Sequence, residues 1–428
     1  MKNPKEHPGY LFSKGYSNFV FILLFLLYMF DYIDRVVVTS MRSSIETAYG
    51  ITHTQSALLL SGVYWIIVIL TLPASLLVDR WSRSKTIGIM AVMWSLATAL
   101  CALTGSYIQL LMARFLIGVG EAGYAPGGTA MISGLYPIEK RSRMIGIWNA
   151  SIPLGTAIGV LLGGMIATRL GWKHAFGLVA FPGFIIAVIF LFVKDYKTVD
   201  LSFVDKSNNM VKMERKDVLR EFRTKPSILY SFFGITAVVF VTNSIIYGLP
   251  AYFENTRNMN QEQAGKLASY VMALALVGAP VGGYLTDLWR KKKAEARLLF
   301  PAISTLAAAV ALFVALFLLT GNTQYVVLLV FGVLITMFIA GAAAVTQDVV
   351  HPGLRAISYS VAVVIQNLLG SSMGPIVTGK IYDLYSIKTA LSILPFILVI
   401  GSVLFWMGSK YYTRDFDRTV KVELKPEG

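Results

Sequence analysis

Residues 110–132 read LLMARFLIGVGEAGYAPGGTAMI. Arg114 and Glu121 stand inside an otherwise apolar run. They are seven residues apart, two helical turns, so they share one face of a helix. A charge at the centre of a bilayer-spanning helix costs about 2.5–3.5 kcal/mol on insertion scales, and such residues normally face a polar pathway. The first apolar segment repeats the pattern. Residues 25–40, FLLYMFDYIDRVVVTS, carry Asp31, Asp34 and Arg35. Charges at that depth point to a chain that moves a solute across a membrane.

The composition agrees. Of 428 residues, 56% are hydrophobic and 14% are charged, with a mean hydropathy of +0.64. Soluble domains carry about 25% charged residues. This much apolar surface needs lipid as its solvent, and spanning segments are then expected to be helices. The net charge of +15 does not indicate a nucleic-acid partner, because the basic residues fall at segment ends and form no stripe with aromatics. The single cysteine, Cys101, excludes an internal disulfide or a cysteine metal site and reads as a small buried apolar residue. No cofactor or metal is implied. No catalytic constellation and no G-x-x-x-x-G-K-[ST] loop appears, so neither an enzyme nor an ATP-driven pump is expected.

Apolar runs long enough for about 30 Å of hydrocarbon fall near residues 18–41, 56–78, 85–104, 107–133, 143–167, 175–193, 227–253, 264–286, 297–320, 324–347, 357–382 and 387–409. The expected fold is an all-α membrane protein with twelve transmembrane helices. Lys and Arg set its orientation. With the N-terminus cytoplasmic, most of the basic residues fall on the cytoplasmic side. The opposite side holds only Arg42, Arg169, Lys173, Arg257, Lys266, Lys380 and Lys388. Both termini are therefore expected in the cytoplasm, at the cell membrane (the inner membrane, if bacterial). The opening residues lack the pattern of a cleaved leader, so the first helix is expected to be retained.

The longest polar stretch, 195–225, separates residues 1–194 from 226–428, each with six spans. It reads as a basic tether, with a surface amphipathic helix over 211–223 as the alternative. The halves repeat each other. Pro137 and Arg141 follow the fourth span, and Pro352 and Arg355 follow the tenth. Gly155 and Gly370 each lie 18 residues beyond the proline, and Gly159 and Gly374 four further on. SLLVDRWSRSK after the second span, with Asp79, Arg80 and Arg83, matches GYLTDLWRKKK after the eighth, with Gly283, Asp287 and Arg290. Two matches at corresponding places indicate a duplicated six-helix unit. Transporters built from repeats hold substrate near the midplane, between the halves.

With these motifs in view, the chain resembles the major facilitator superfamily over about residues 18–410. The loop after the second span is similar to the family's G-x-x-x-D-R-x-x-R signature, with Ser75 in place of its glycine. The resemblance implies two pseudo-symmetric six-helix bundles. It also implies a cytoplasmic latch at Asp79, Arg80, Arg83 and Asp287, with a turn that only satisfies positive-inside topology as the alternative. Gly146, Gly155, Gly159, Gly163 and Gly164 fit an antiporter-associated glycine motif, but Val160 stands at its proline. Close helix packing accounts for these glycines without antiport. YIDR and RFLIGVGEAGYAPG resemble two branches, the spinster-like proteins and the anion:cation symporters. The first implies a lysolipid or sphingolipid exporter. The second implies a proton-coupled carrier of organic anions. Both imply alternating access. A non-transporting receptor or scaffold of the same fold is a third reading, disfavoured by the intact membrane charges. A monomer is expected.

Depth supports the site. At 1.5 Å per residue, Asp34 lies about 9 Å below Ser40 and Arg114 about 10 Å below Tyr107, so the two are expected to pair. Glu121 lies about 21 Å from the outer end, with Asp31 between. These carboxylates, Asp34, Glu121 and Asp31, form a candidate proton relay. Glu121 has no sequence-adjacent cation and is expected to take up a proton most readily. None of the four histidines lies mid-membrane. Alternatives remain for each residue. Arg114 is a substrate ligand, or an anchor bonded to main-chain carbonyls of the first helix. Arg35 binds a substrate anion, or snorkels outward. Asp34 and Glu121 are functional or structural, and Asp31 is functional or merely solvated. In the second half, Asn243, Tyr247, Gln366 and Asn367 are candidate substrate ligands, with Gln347 behind them. Trp65 and Trp148 are candidate cavity aromatics. No charge sits mid-span in the second half, so coupling is expected to belong to the first half.

Overall fold

Hydroxyl side chains open the first long helices. In a computed structural model describing residues 12–195, 224–350 and 355–419, α1 (Lys14–Ser40) starts on Ser13, whose side chain accepts from the Tyr16 N–H at 3.3 Å. A short α2 (Arg42–Tyr49) follows. Thr52 and Gln55 then form a capping box at the start of α3 (His53–Arg80). Ser82 and Ser106 cap α4 (Arg83–Leu103) and α5 (Tyr107–Glu121). Each cap satisfies donors that a helix start leaves without partners.

The fourth expected span is not one helix. It stops after Glu121, turns through Ala122 and Gly123, and resumes as α6 (Tyr124–Leu135). Pro126 has no N–H to give to the carbonyl of Ala122, so the helix breaks one turn before it. The break leaves Glu121 as the last residue of α5. The remaining helices are α7 (Ile138–Asn149), α8 (Ser151–Leu170), α9 (Trp172–Leu191), α10 (Pro226–Arg257), α11 (Gln261–Ala273), α12 (Ala275–Arg290), α13 (Ala296–Phe313), α14 (Gly321–Leu334), α15 (Ile339–Asp348), α16 (Arg355–Ile365), α17 (Met373–Leu384), α18 (Ile387–Ser392) and α19 (Leu394–Asp417). π-Helical turns at Val314–Leu318 and Gln366–Ser371 extend α13 and α16. Among the described residues, ten helical runs are long and apolar enough to cross a membrane. The other two expected crossings are α1 and α5–α6, the two that carry the charges. Most of the tether at 195–225, including the alternative helix at 211–223, lies outside the described residues.

Glycines set the closest packing. A Cβ on Gly159 would stand 2.9 Å from the carbonyl oxygen of Ile33, so α8 packs directly on the backbone of α1. Gly155 and Gly163 meet α1 in the same way, at the carbonyls of Met29 and Val37. In the second half, Gly370 meets the carbonyl of Thr236 and Gly374 that of Phe240. The glycines matched in sequence thus make matching contacts, α8 on α1 and α16–α17 on α10.

The compact units differ from the two sequence halves. One takes the residues up to Val199 together with Ile246–Ala273 and Pro375–Ile387. The other takes Asp200–Ile245, Leu274–Gly374 and the chain from Lys388. The first unit gains Ile246–Ala273 because α11 packs on α8, and Pro375–Ile387 because Gly379 and Asp383 meet the start of α3. Between α11 and α8, a Cβ on Gly265 would stand 2.9 Å from the carbonyl of Val160.

Candidate functional site

Five charged side chains of α1 and α5 are buried together in the first unit. Asp34 and Arg114 are 0% exposed, Asp31 1%, Glu121 4% and Arg35 6%. Arg35 is the hub. Its Nη2 donates to Asp31 Oδ2 at 2.8 Å and to Glu121 Oε2 at 2.8 Å, and its Nε donates to the same Glu121 oxygen at 3.1 Å. Its guanidinium carbon lies 4.5 Å from the ring centre of Tyr32 and 5.2 Å from that of Tyr64. These contacts are cation–π in character. Arg35 therefore does not snorkel. Nor does Glu121 stand alone.

The expected Asp34–Arg114 side-chain pair is not formed. Arg114 donates to three main-chain carbonyls: Leu59 at 2.8 Å, Asp34 at 2.8 Å and Arg35 at 2.7 Å. It ties α5 to α1 and α3 as the anchor alternative describes. The Asp34 carboxylate instead accepts from Thr98 Oγ1 at 3.2 Å. The reason is direction. Helical side chains lean toward their own N-terminus. Asp34 and Arg35 therefore lean toward the N-terminal end of α1, while Arg114 and Glu121, on an antiparallel helix, lean the other way. Equal depth of Cα atoms separates Asp34 from Arg114. Unequal depth brings Arg35 and Glu121 together.

Asp31 Oδ1, Asp34 Oδ1 and Glu121 Oε1 are buried without a hydrogen-bond partner. Three carboxylates and two guanidiniums make a formal charge of minus one. A buried charge without a partner is costly. One proton would make the cluster neutral and give a donor to one of the orphaned oxygens. Beneath the cluster lies an aromatic layer. Tyr28 stacks on Trp148 at 4.2 Å, and Tyr124 Oη (2.6 Å) and Trp148 Nε1 (3.2 Å) both donate to the carbonyl of Leu24. Trp148 is thus fixed within the bundle. Thr98, Tyr32, Tyr64 and Tyr124 are the members that sequence reasoning passed over, and no spacing singles them out.

The second unit holds a cavity of about 240 Å³. Its walls include Ile235, Val239 and Phe338, with Asn243, Thr336 and Gln366 as polar points. Among the described residues, no charged one lines it. Asn243 donates to the carbonyl of Val239 at 3.1 Å and lies 3.5 Å from Ser371 Oγ, which in turn reaches Asn367 at 3.1 Å. The π-turn at Gln366–Ser371 carries both amides of the eleventh span. Tyr247 does not join them. It is packed in the first unit, where its hydroxyl donates to the carbonyl of His53 at 2.6 Å. Gln347 is exposed, and Trp65 is half-buried.

Of the expected latch, the side chains of Asp79 and Arg80 lie outside the described residues, and Arg83 is half-buried in the first turn of α4. Asp287 meets Arg297 at 3.4 Å. Arg297 also meets Asp348 at 3.4 Å, and Tyr412 donates to Asp348 at 3.1 Å.

A family model described as Major Facilitator Superfamily matches residues 24–375. The chain belongs to this superfamily: it is a multi-pass membrane transporter of small-molecule substrates, not an enzyme. Among curated relatives, the hexuronate transporter of Bacillus subtilis (strain 168) is 26% identical over 370 residues, covering 85% of this chain and 87% of the relative. Protein spinster homolog 1 of Xenopus laevis is 24% identical over 442 residues, covering 96% and 84%. A solved bacterial homolog of the human lysosomal transporter Spinster, inward-facing and unoccupied, superposes with a TM-score of 0.82 at 21% identity, covering 94% of this chain and 99% of that one.

Proposed function

We propose that the chain is a proton-coupled carrier of a small organic anion, with Arg35 as the anion ligand and Glu121 and Asp31 as the proton acceptors. The observation that carries this reading is the pairing of Arg35 Nη2 and Nε with two buried carboxylates. An incoming carboxylate that takes this edge of the guanidinium needs the same Nη2 and Nε donors. Protonation of Glu121 removes its charge and frees those donors for the substrate. Anion and proton then enter together, and the formal charge of the cluster is unchanged. Arg114 is the structural anchor that holds α1, α3 and α5 at fixed spacing during this exchange. Asn243, Gln366 and Asn367 are further substrate ligands, all within the second unit. Both termini lie in the cytoplasm and the functional unit is the monomer.

The relative that names a substrate class names hexuronates, which are sugar acids of this kind. The test is uptake into proteoliposomes with an imposed pH difference. Glucuronate or galacturonate should accumulate toward the alkaline side and collapse with the gradient.

A second reading, a lysolipid carrier, is favoured by the mostly apolar walls of the cavity in the second unit. Binding should then strengthen with acyl length, by at most about 0.8 kcal/mol per buried methylene. Steady strengthening from short-chain to long-chain lysolipids, with no response to any soluble acid, would replace the anion reading with this one.

A further inference from the structure

Two helices begin on an aspartate supplied by a distant part of the chain. At α10, Asp415 Oδ2 accepts from the N–H of Ser227 at 3.0 Å and from its hydroxyl at 2.7 Å. At α3, Asp383 accepts from the N–H groups of His53 at 2.7 Å and Thr54 at 2.9 Å, and from the Thr54 hydroxyl. The chemistry is the same. The first N–H groups of a helix lack partners, and a carboxylate also meets the positive end of the helix dipole. The setting differs. Asp415 and α10 belong to one sequence half. Asp383 and α3 belong to opposite halves, yet both lie in the first compact unit.

Around Asp383 the contacts form a seal at the start of α3. The His53 ring stacks on Tyr382 at 3.6 Å with planes 6° apart. Arg42 Nη1 lies 3.0 Å from both Glu46 Oε1 and His53 Nδ1, and its guanidinium carbon stands 4.9 Å from the Tyr382 ring centre. A Cβ on Gly379, one turn before Asp383, would come within 2.7 Å of the His53 carbonyl oxygen and 3.1 Å of Ala57 Cβ. The helices therefore touch, with no room for a side chain. A carrier that opens by moving one repeat against the other has to part this contact before a solute can pass at that end. A charge-assisted bond to main-chain N–H groups fits such a gate. When it breaks, both the carboxylate and the helix start return to water, so neither is stranded.

We propose that Asp383 is a gating residue whose carboxylate is a detachable cap on α3, formed when this end of the pathway is shut and released in each transport cycle. The inference rests on alternating access and on neither the proton nor the anion reading, so it survives if those fail.

The test needs no substrate. Ser56 lies one turn inside α3 and is 3% exposed. A Ser56→Cys reporter in a Cys101→Ser background should react slowly with a bulky maleimide in the purified protein. Adding Asp383→Ala should speed labelling roughly tenfold, since loss of a charged hydrogen bond shifts the closed population by about that factor. Gly379→Leu, which wedges the same contact without touching the carboxylate, should do likewise. Asp415→Ala should leave the labelling rate of the reporter unchanged. A separate Asp383→Ala protein keeping Cys101, with Ser56 native, should stay unlabelled, because Cys101 is buried within the bundle. Unchanged reporter labelling in both Asp383→Ala and Gly379→Leu would overturn the proposal. Equal acceleration by Asp415→Ala, or labelling of Cys101, would also overturn it, since either would mean general loosening.

Discussion

The charged cluster of α1 and α5 and the cavity of the second unit are built on matching backbone contacts but differ in chemistry. Gly155 and Gly159 seat α8 on α1, and Gly370 and Gly374 seat the eleventh span on α10. On the first frame, three carboxylates and two arginines are buried. On the second, about 240 Å³ of cavity is lined by apolar side chains, amides and hydroxyls. The two halves share the helix packing, which depends on small residues at close approaches, while the side chains set on it differ. Under the proposed function the first region handles charge and the second handles shape.

The largest expected effect comes from removing the hub. Arg35→Ala leaves Asp31 and Glu121 without their shared cation, and breaking such a buried pair costs about 3–5 kcal/mol. Thermal unfolding should fall by many degrees. An unchanged melting temperature would break the comparison, because the first region would then hold its charges without the pair. A smaller effect separates the two arginines. In double-mutant cycles on stability, Arg35→Gln with Glu121→Gln should show a coupling within about 0.5–3 kcal/mol, whereas Asp34→Asn with Arg114→Gln, which share no side-chain hydrogen bond, should show a smaller one. Arg114 bonds the main chain of Asp34, which the substitution leaves in place. Strong coupling in the second cycle would restore the side-chain pair expected from depth. The smallest effect belongs to the cavity. Asn243→Ala and Gln366→Ala should each raise KM by a few-fold, as for loss of one hydrogen bond of about 1 kcal/mol, with the ratio of protons to substrate unchanged. A changed ratio would mean that the second region shares in coupling.

Much of this was legible in the sequence for a physical reason. Charges inside apolar runs are costly enough to be rare, so Asp31, Asp34, Arg35, Arg114 and Glu121 identify themselves. The matched loops and glycines pointed to a repeated six-helix unit, and the matched glycines make matching contacts. The break after Glu121 was readable from Pro126 and was passed over in favour of one continuous span. The pairing within the cluster was not readable from depth alone. Rise per residue places Cα atoms along the bilayer, but which side chains meet also depends on their lean toward each helix start and on competition from main-chain carbonyls for guanidinium donors. The Asp31–Arg35 spacing of four residues did carry a pairing signal, and its extension to Glu121 did not. Tyr247 looked like a cavity ligand by its place in the seventh span, yet one further turn of helix carries it into the contact with His53. Asp383 had no signal at all, since 330 residues separate it from His53.

The central claim is that Glu121 couples proton movement to transport by competing with the substrate for Arg35. It is tested most directly by Glu121→Gln in proteoliposomes, measured once under an imposed pH difference and once as exchange of labelled for unlabelled substrate at uniform pH. The glutamine keeps the shape and the acceptor facing Arg35 but does not titrate. The account predicts that exchange continues while accumulation against a gradient is lost. A Glu121→Gln protein that still concentrates its substrate when the pH difference is imposed would contradict it.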